Sequence, residues 1–551
     1  MGGTEMKIAR FSSCRGVPFE INANRSNPFA IEPPPTPIPK PEPTTHGSWR
    51  WLPWTRTSSF KLLPRMYAVS PGRSRSSSHF CDIDIDADKD DHDDDDDDDV
   101  EVEFIAEGTQ DAEKQQQKKA NSSRISIILL DQGFTVYKWI FLVCLALNMV
   151  ALSLAASGHF PYAKEKASLF SIANILALTL CRSEATLRIL FYLVVKTIGK
   201  PFVPLRIKTS TTSFLQSLGG IHSSCGVSSI SWLLFSLVLT IKNKNKTSTE
   251  IIVVAFVILL LLFLSSLAAF PLVRHLHHNV FERTHRFAGW TALILLWLFI
   301  LLSISYDPNS QSYHFTISKM IKNQESWFTL AITILIVLPW LTVRKVAVRV
   351  STASSHATII KFEGGVEAGL FGRISPSPLS EWHAFGIISD GKKEHMMLAG
   401  AVGDFTRSLV STKPNHLWVR KLHFAGLTYL VKLYKRVLLV ATGSGICVFL
   451  SFLLQKRQHH VDVYLIWVAK DIETNFGKEI VELVRNYPKE KVIVHDTGVC
   501  GRPNVGEMSV EGATTWNCEV VIVTSNPQGS KDVVRACKKA KIPAFGPIWD
   551  S

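Results

Sequence analysis

Residues Arg436–Leu454 read RVLLVATGSGICVFLSFLL. The first half has the composition of a strand buried on both faces, and the second half that of an apolar helix. Between them lies Thr442-Gly443-Ser444-Gly445. Glycines in such a turn let backbone amides approach a phosphate at a helix N-terminus. A short Gly-Ser-Gly is common, so its weight comes from the strand–turn–helix context. Three more units follow. HVDVYLIWVAKD (460–471) is a strand ending in charges, KEKVIVHDTGVCGRPNV (489–505) is another strand, and 516–551 reads as strand, turn, helix and strand. Strands alternating with helices predict a parallel sheet whose ligands sit at the carboxyl ends of its strands.

Upstream, the pattern changes to short alternating strands. They fall in RKVAVRVSTASSHATIIKF (344–362), in GLFGRISPSPLSEWHAFGIIS (369–389) and in GKKEHMMLAGAVGDFTRSLV (391–410), which ends as a helix. Six short strands and a capping helix predict a small antiparallel barrel over 346–433. The parallel α/β domain then occupies 434–551.

Residues 126–345 are different again. Apolar runs occur at Trp139–Ala156, Ala167–Val195, Phe214–Ile241, Ile251–Val273, Phe287–Ser305 and Trp327–Val343. They predict a bundle of six transmembrane helices. The second run carries Arg182, Glu184 and Arg188 in its C-terminal half. Either that half leaves the membrane, or its charges face the bundle interior. Lys and Arg cluster after runs two, four and six, which places those loops and both termini in the cytosol. Lys242, Lys244 and Lys246 after run three conflict in part with that orientation, while the sequon Asn245-Lys246-Thr247 in the same loop would suit an external face.

Residues 1–125 are poor in aliphatic side chains and rich in Pro, Ser, Arg and Asp, so they are expected to be a disordered tail. Thirteen aspartates fall within Asp82–Asp99, yet the 551-residue chain carries a net charge of +13. The remainder is therefore strongly basic. The basic residues lie beside apolar runs, which favours lipid headgroups, and no nucleic-acid partner is expected. The nine cysteines show neither metal-ligand spacing nor a disulfide framework.

Histidines concentrate in HLHHNVFERTHRFAGW (275–290). His285 there and His222, near the start of run three, would lie at one membrane depth. Two such imidazoles could be axial ligands to haem iron; the plainer reading is a pair of polar interior contacts. His275, His277 and His278 suit headgroup contacts at the membrane lip.

Taken together, LTLCRSEATLRIL in run two, FERTHRFAGW, Trp382-His383-Ala384-Phe385-Gly386, Gly403-Asp404-Phe405-Thr406, ATGSGI and Gly501-Arg502-Pro503 resemble motifs of the ferric reductase and NADPH oxidase superfamily. The likeness covers roughly 135–551 and is nearest to the fungal conidiation-associated transmembrane flavoproteins and their plant relatives. Some of those carry an adenylate-forming domain, which is not expected in this sequence. The resemblance implies a ferredoxin reductase-type module that passes electrons from NAD(P)H to FAD, and then to a small-molecule acceptor on the cytosolic side. It implies flavin contacts from His383, Phe385, Thr406 and Trp549. It implies nucleotide contacts from Thr442, Gly443, Ser444, Gly445, Gly501, Arg502 and Pro503, with Lys470 at a ribose 2′-phosphate. His222 and His285 would hold one inner haem b. The second pair of haem histidines is missing, since Phe235, Ser236, Leu298 and Phe299 occupy those positions. Other departures are Ala384 and Gly386 for the family's Pro and Thr, and Cys447-Val448 for Thr-Pro. Thr524-Ser525-Asn526-Pro527 replaces Cys-Gly-Pro, leaving Cys518 or Cys500 to approach instead. These departures suit an alternative, a non-catalytic membrane scaffold or signalling protein that keeps the fold.

Overall fold

The computed structural model describes residues 135–547, apart from 271–272, 274–277, 402 and 456–459, with two short strands nearer the N-terminus. The chain divides into two compact units, Met1–Gly72 and Arg73–Ser551. In the first, Arg10–Ser12 pairs antiparallel with Pro18–Glu20. The rest of the expected tail, including the aspartate run, lies outside the described residues, as do His275, His277 and Trp549.

Among the described residues, five helices are long and apolar enough to cross a membrane. They are α1 (Val136–Ala156), α5 (Gly219–Lys242), α6 (Thr249–Ala268), α7 (His278–Ser305) and α8 (Gln324–Leu341). The sixth expected span is not one helix. It breaks into α2 (Ala167–Leu180) and α3 (Glu184–Ile198). With 14 residues α2 is about 21 Å long, short of the roughly 30 Å hydrocarbon layer. The break has a local cause. Ser183 turns extended, and its side chain caps α3 by accepting from the Thr186 amide at 3.4 Å. Beyond it, α3 turns Phe191 into the core of the following domains, with Leu187, Leu190, Val194 and Ile198 packed beside it. The charged half of run two therefore divides: Glu184 and Arg188 turn to the following domains, whereas Arg182, at the break, acts on the bundle histidines His222 and His285.

A polar knot ties the bundle together. Asn148 Oδ1 accepts from Asn174 Nδ2 at 2.9 Å and from Trp232 Nε1 at 3.1 Å. Trp232 is fully buried.

Helix α4 (Leu205–Gln216) leads into α5. After α8 come eight short strands: β1 (Val343–Ala347), β2 (Arg349–Thr352), β3 (Ala357–Glu363), β4 (Leu370–Ser375), β5 (His383–Gly386), β6 (Ile388–Ser389), β7 (Glu394–Gly400) and β8 (His416–Ala425). Helix α9 (Asp404–Thr412) lies between the last two. They pair as two four-stranded antiparallel sheets, in orders β6-β7-β3-β2 and β1-β8-β4-β5, rather than as one closed six-stranded ladder. The expected barrel is thus corrected to a two-sheet domain. Strand β8 is the element the alternation count passed over; it sits between β1 and β4 and is bulged between Arg420 and Phe424.

The α/β domain follows the predicted plan. Strands β9 (Arg436–Thr442), β10 (Asp462–Ala469), β11 (Val492–Asp496), β12 (Val520–Thr524) and β13 (Ala544–Phe545) form one parallel sheet in order β11-β10-β9-β12-β13. Helices α10 (Cys447–Leu454), α11 (Ile472–Arg485), α12 (Val505–Thr515) and α13 (Pro527–Lys539) connect them. Every residue of α10 but the last is buried, which is why its sequence is apolar all round.

Replacing Asn148 by Leu strands two buried N–H donors. The expected cost is about 1 kcal/mol, seen as a lower thermal-unfolding midpoint in detergent, whereas Ser231→Ala on an exposed helix face leaves the midpoint unchanged.

Candidate functional site

The carboxyl edge of the parallel sheet gathers most of the sequence-predicted nucleotide residues. Strand β9 is central and ends at Thr442, whose Oγ1 shares a 2.7 Å hydrogen bond with Ser525 Oγ at the end of β12. Gly443 has φ +53°, a left-handed conformation that disfavours any side chain. Its carbonyl accepts from Trp467 Nε1 of β10 at 3.1 Å. Ser444 and Gly445 are buried in a 3-10 turn that runs into α10. One edge thus brings together the β9 turn, Ser525 and the segment after β11.

Gly501, at φ +72°, is open on its Cβ side, and its carbonyl accepts from His495 Nε2 at 2.9 Å. Arg502 is exposed and Pro503 half-buried. Lys470 is exposed at the end of β10. Beside it is a feature the sequence reading missed. Asp471 has φ +47°, and Asp496 accepts from the amides of Asp471 and Ile472 at 2.8 Å and of Gly498 at 2.9 Å. Burial works against the Asp496 charge, but the three amides outweigh it and hold its carboxyl below the usual range. Lys470 therefore shares its end of the sheet with two carboxylates.

The cysteines fall on opposite edges. Cys518 precedes β12 and so lies at the amino edge, where burial pushes its thiol up to about 12. It cannot replace the missing cysteine of the Cys-Gly-Pro position. Cys500 is exposed on the carboxyl edge.

The flavin candidates converge in the two-sheet domain. His383, on β5, stacks on Phe405 of α9 with centroids 4.6 Å apart and 12° between planes. Thr406 follows in the same turn. Its hydroxyl accepts from the Gly403 amide at 3.0 Å and donates to the Gly403 carbonyl at 3.1 Å. Phe385 is buried. Helix α10 joins the segment just after this strand, Ile387 and β6, to the β9 turn. Ser451 Oγ donates to the Ile387 carbonyl at 2.6 Å and accepts from the Ser389 amide at 2.9 Å. Gln455 Nε2 donates to the Ser389 and Val366 carbonyls, each at 2.8 Å. The two domains share one hydrophobic core.

In the bundle, His222 on α5 and His285 on α7 approach with ring centroids 6.5 Å apart. His222 Nδ1 lies 3.0 Å from the Leu178 carbonyl, and His285 Nδ1 lies 2.8 Å from Ser265 Oγ. Engaging Nδ1 in this way directs Nε2 of each ring toward any ligand. Arg182 is near enough to act electrostatically on both. Among the described residues, no group of three or more His, Cys, Asp or Glu side chains is placed to hold a metal ion. Where a second histidine pair would stand, Leu233, Ile258, Leu296, Ile300 and Ile332 pack with Phe299. The cavity left there is only about 10 Å³.

Comparison with known proteins agrees with the C-terminal half of this description. Residues 427–551 match the family described as adenylate-forming reductase 03009, C-terminal domain. Over 435 residues, 78% of the chain, the sequence is 32% identical to adenylate-forming reductase 06235 of Coprinopsis cinerea, covering 41% of that protein. Over 457 residues, 81% of the chain, it is 32% identical to adenylate-forming reductase 03009 of the same organism, covering 43%. The chain thus spans less than half the length of the curated relatives it matches. Among solved structures, ferredoxin-NADP+ reductase from Plasmodium falciparum aligns with 37% of this chain and 95% of its own, at 11% identity and a TM-score of 0.30. A score of that size carries no argument, and the fold is read from the strand pairing itself.

The Asp496 carboxylate supplies a pH test. Its depressed native pKa adds stability above the unfolded carboxyl value of about 3.9 and loses it as pH falls through the native value. Asp496→Asn should unfold at a lower temperature than wild type at neutral pH, and the gap should close below about pH 4.

Proposed function

We propose that this chain is a multi-pass membrane oxidoreductase whose cytosolic part uses NAD(P)H and FAD. The observation that carries the reading is that α10, which begins at the glycine turn after β9, bonds through Ser451 to Ile387 and Ser389, just beyond the strand that bears His383. The match of 427–551 to a reductase family supports it, as does the motif resemblance to the ferric reductase and NADPH oxidase superfamily. His383, Phe385 and Thr406 would hold FAD, which would supply hydride acceptance from NAD(P)H and electron delivery to a small-molecule acceptor. The residues that would hold these groups fit them in chemistry. Gly443, Ser444 and Gly445 offer backbone amides for a pyrophosphate, and Thr442 lines the same turn. Gly501, Arg502, Pro503 and Lys470 would border the ribose. His383, Phe385 and Thr406 would line the flavin, with Trp549 as a further contact.

His222 and His285 fit a single haem, because each would ligate through Nε2 while Nδ1 is held by the protein. The apolar packing of the outer half offers no second pair, which keeps electron transfer on the cytosolic side. Lysines and arginines after runs two, four and six favour that side for both termini, against anionic lipid. No nucleic-acid partner is proposed. Ala384 and Gly386 at the flavin strand favour the second reading, a non-catalytic scaffold.

An absorption spectrum of the detergent-purified protein separates the two. The oxidoreductase is yellow, bleaches with NAD(P)H and reduces an artificial acceptor. A colourless protein without bound flavin establishes the scaffold. A Soret band that disappears in both His222→Ala and His285→Ala reports the haem. Gly443→Ala, which puts a side chain at positive φ, should raise the KM for NAD(P)H about tenfold while flavin content is kept.

A further inference from the structure

Glu184 is the first residue of α3, at the point where the second apolar run breaks. It is 7% exposed. Its Oε1 accepts from Arg373 Nε and lies 3.6 Å from Arg420 Nη1. Arg373 and Arg420 are direct cross-strand partners on β4 and β8. Like charges so placed repel, and a shared carboxylate is what allows both to stay.

Both arginines hold the same residue. Arg373 Nη1 donates to the Trp382 carbonyl at 3.4 Å. The Arg420 guanidinium stands 4.7 Å from the Trp382 ring on one side and 5.7 Å from the Trp340 ring of α8 on the other. Trp382 immediately precedes His383. Arg373 is itself the register partner of Ala384, so it backs the flavin strand directly. Other charges nearby are Arg286, paired with Glu282, and Arg283, which meets Glu381 at 3.2 Å in an exposed pair.

From this geometry we infer that Glu184 is a positioning residue for the flavin strand. Through Arg373 and Arg420 it sets Trp382 and His383 from the membrane side, so that flavin geometry depends on how the bundle docks. This rests on the flavoprotein reading above.

The test uses full-length protein in detergent: wild type, Glu184→Gln, Glu184→Asp and Arg283→Ala. Flavin affinity, visible circular dichroism of bound flavin and its midpoint potential are measured on each. Glu184→Gln is expected to weaken flavin binding at least about tenfold and to change the dichroism and potential, with Glu184→Asp recovering part of both. Arg283→Ala, which breaks only the exposed pair, should stay within about twofold of wild type. Wild-type affinity, dichroism and potential in Glu184→Gln overturn the inference while leaving the flavoprotein reading intact. If Glu184→Gln is not monodisperse, Glu184→Asp decides by the same criteria, an unchanged flavin again overturning the inference. Absence of flavin from the wild type overturns the reading itself, and the inference with it.

Discussion

A buried carboxylate at a helix break is the constraint on which this architecture turns. A charge like that of Glu184 is costly to remove from water unless it is paired, and removing one partner of a buried pair typically costs about 3–5 kcal/mol. Glu184 meets its counter-charges only when β4 and β8 bring Arg373 and Arg420 to its Oε1; its Oε2 is buried without a hydrogen-bond partner. The requirement therefore links two distant parts of the chain. It forbids α3 from continuing α2 through the hydrocarbon layer, and it fixes where the β domain meets the bundle. Neighbouring contacts reinforce the same docking. Arg188 Nη1 donates to the His423 carbonyl at 2.8 Å, Thr212 Oγ1 bonds Tyr434 OH at 2.7 Å, and Gln216 Nε2 donates to the Gly546 carbonyl at 2.9 Å. Such a pair adds little net stability over apolar packing; what it adds is a unique register.

The docking has an electrostatic consequence inside the β domain. Burial, followed by the nearby charges of His395 and Arg188, holds His423 down to about 4, so it is neutral at physiological pH. Burial likewise lowers Lys432 to about 8, although Glu367 pairs with it. Lys432, at about 8, still carries its charge at neutral pH beside Glu367, so positive charge at this junction rests on it and on the arginines. The same economy of polar groups appears at α10. It is apolar all round because core surrounds it, yet Ser451, with Gln455 just beyond it, supplies bonds that Ile387 and β6 would otherwise lack.

Within the bundle the two halves differ in kind. The inner half keeps polar groups: His222, His285, Ser265 and the nearby charge of Arg182. Farther along the same helices Leu233, Ile258, Leu296, Ile300 and Ile332 pack together, with Ser171 buried beside them. Leu and Ile stand there in place of ligands, and the cavity they enclose is about 10 Å³.

Local pattern alone determined a good deal. Continuous apolar runs foretold the five spanning helices, and strand–turn–helix alternation foretold the parallel sheet and the Gly443 turn. Period and composition are properties of neighbouring residues, so they can be read without the fold. The break at Ser183 was visible as charges inside an apolar run, but its outcome was not, because the partners Arg373 and Arg420 lie about two hundred residues away. The six-stranded barrel became two four-stranded sheets because pairing is chosen between strands, and β8 earns its place through β1 and β4 rather than through its own alternation. Likewise the carboxylates beside Lys470, the stack of His383 on Phe405 and the opposite edges of Cys500 and Cys518 are facts of proximity. Sequence determined which segments bury themselves and in what shape; tertiary structure alone decided which charges meet, because electrostatic pairing depends on distance in space and not along the chain.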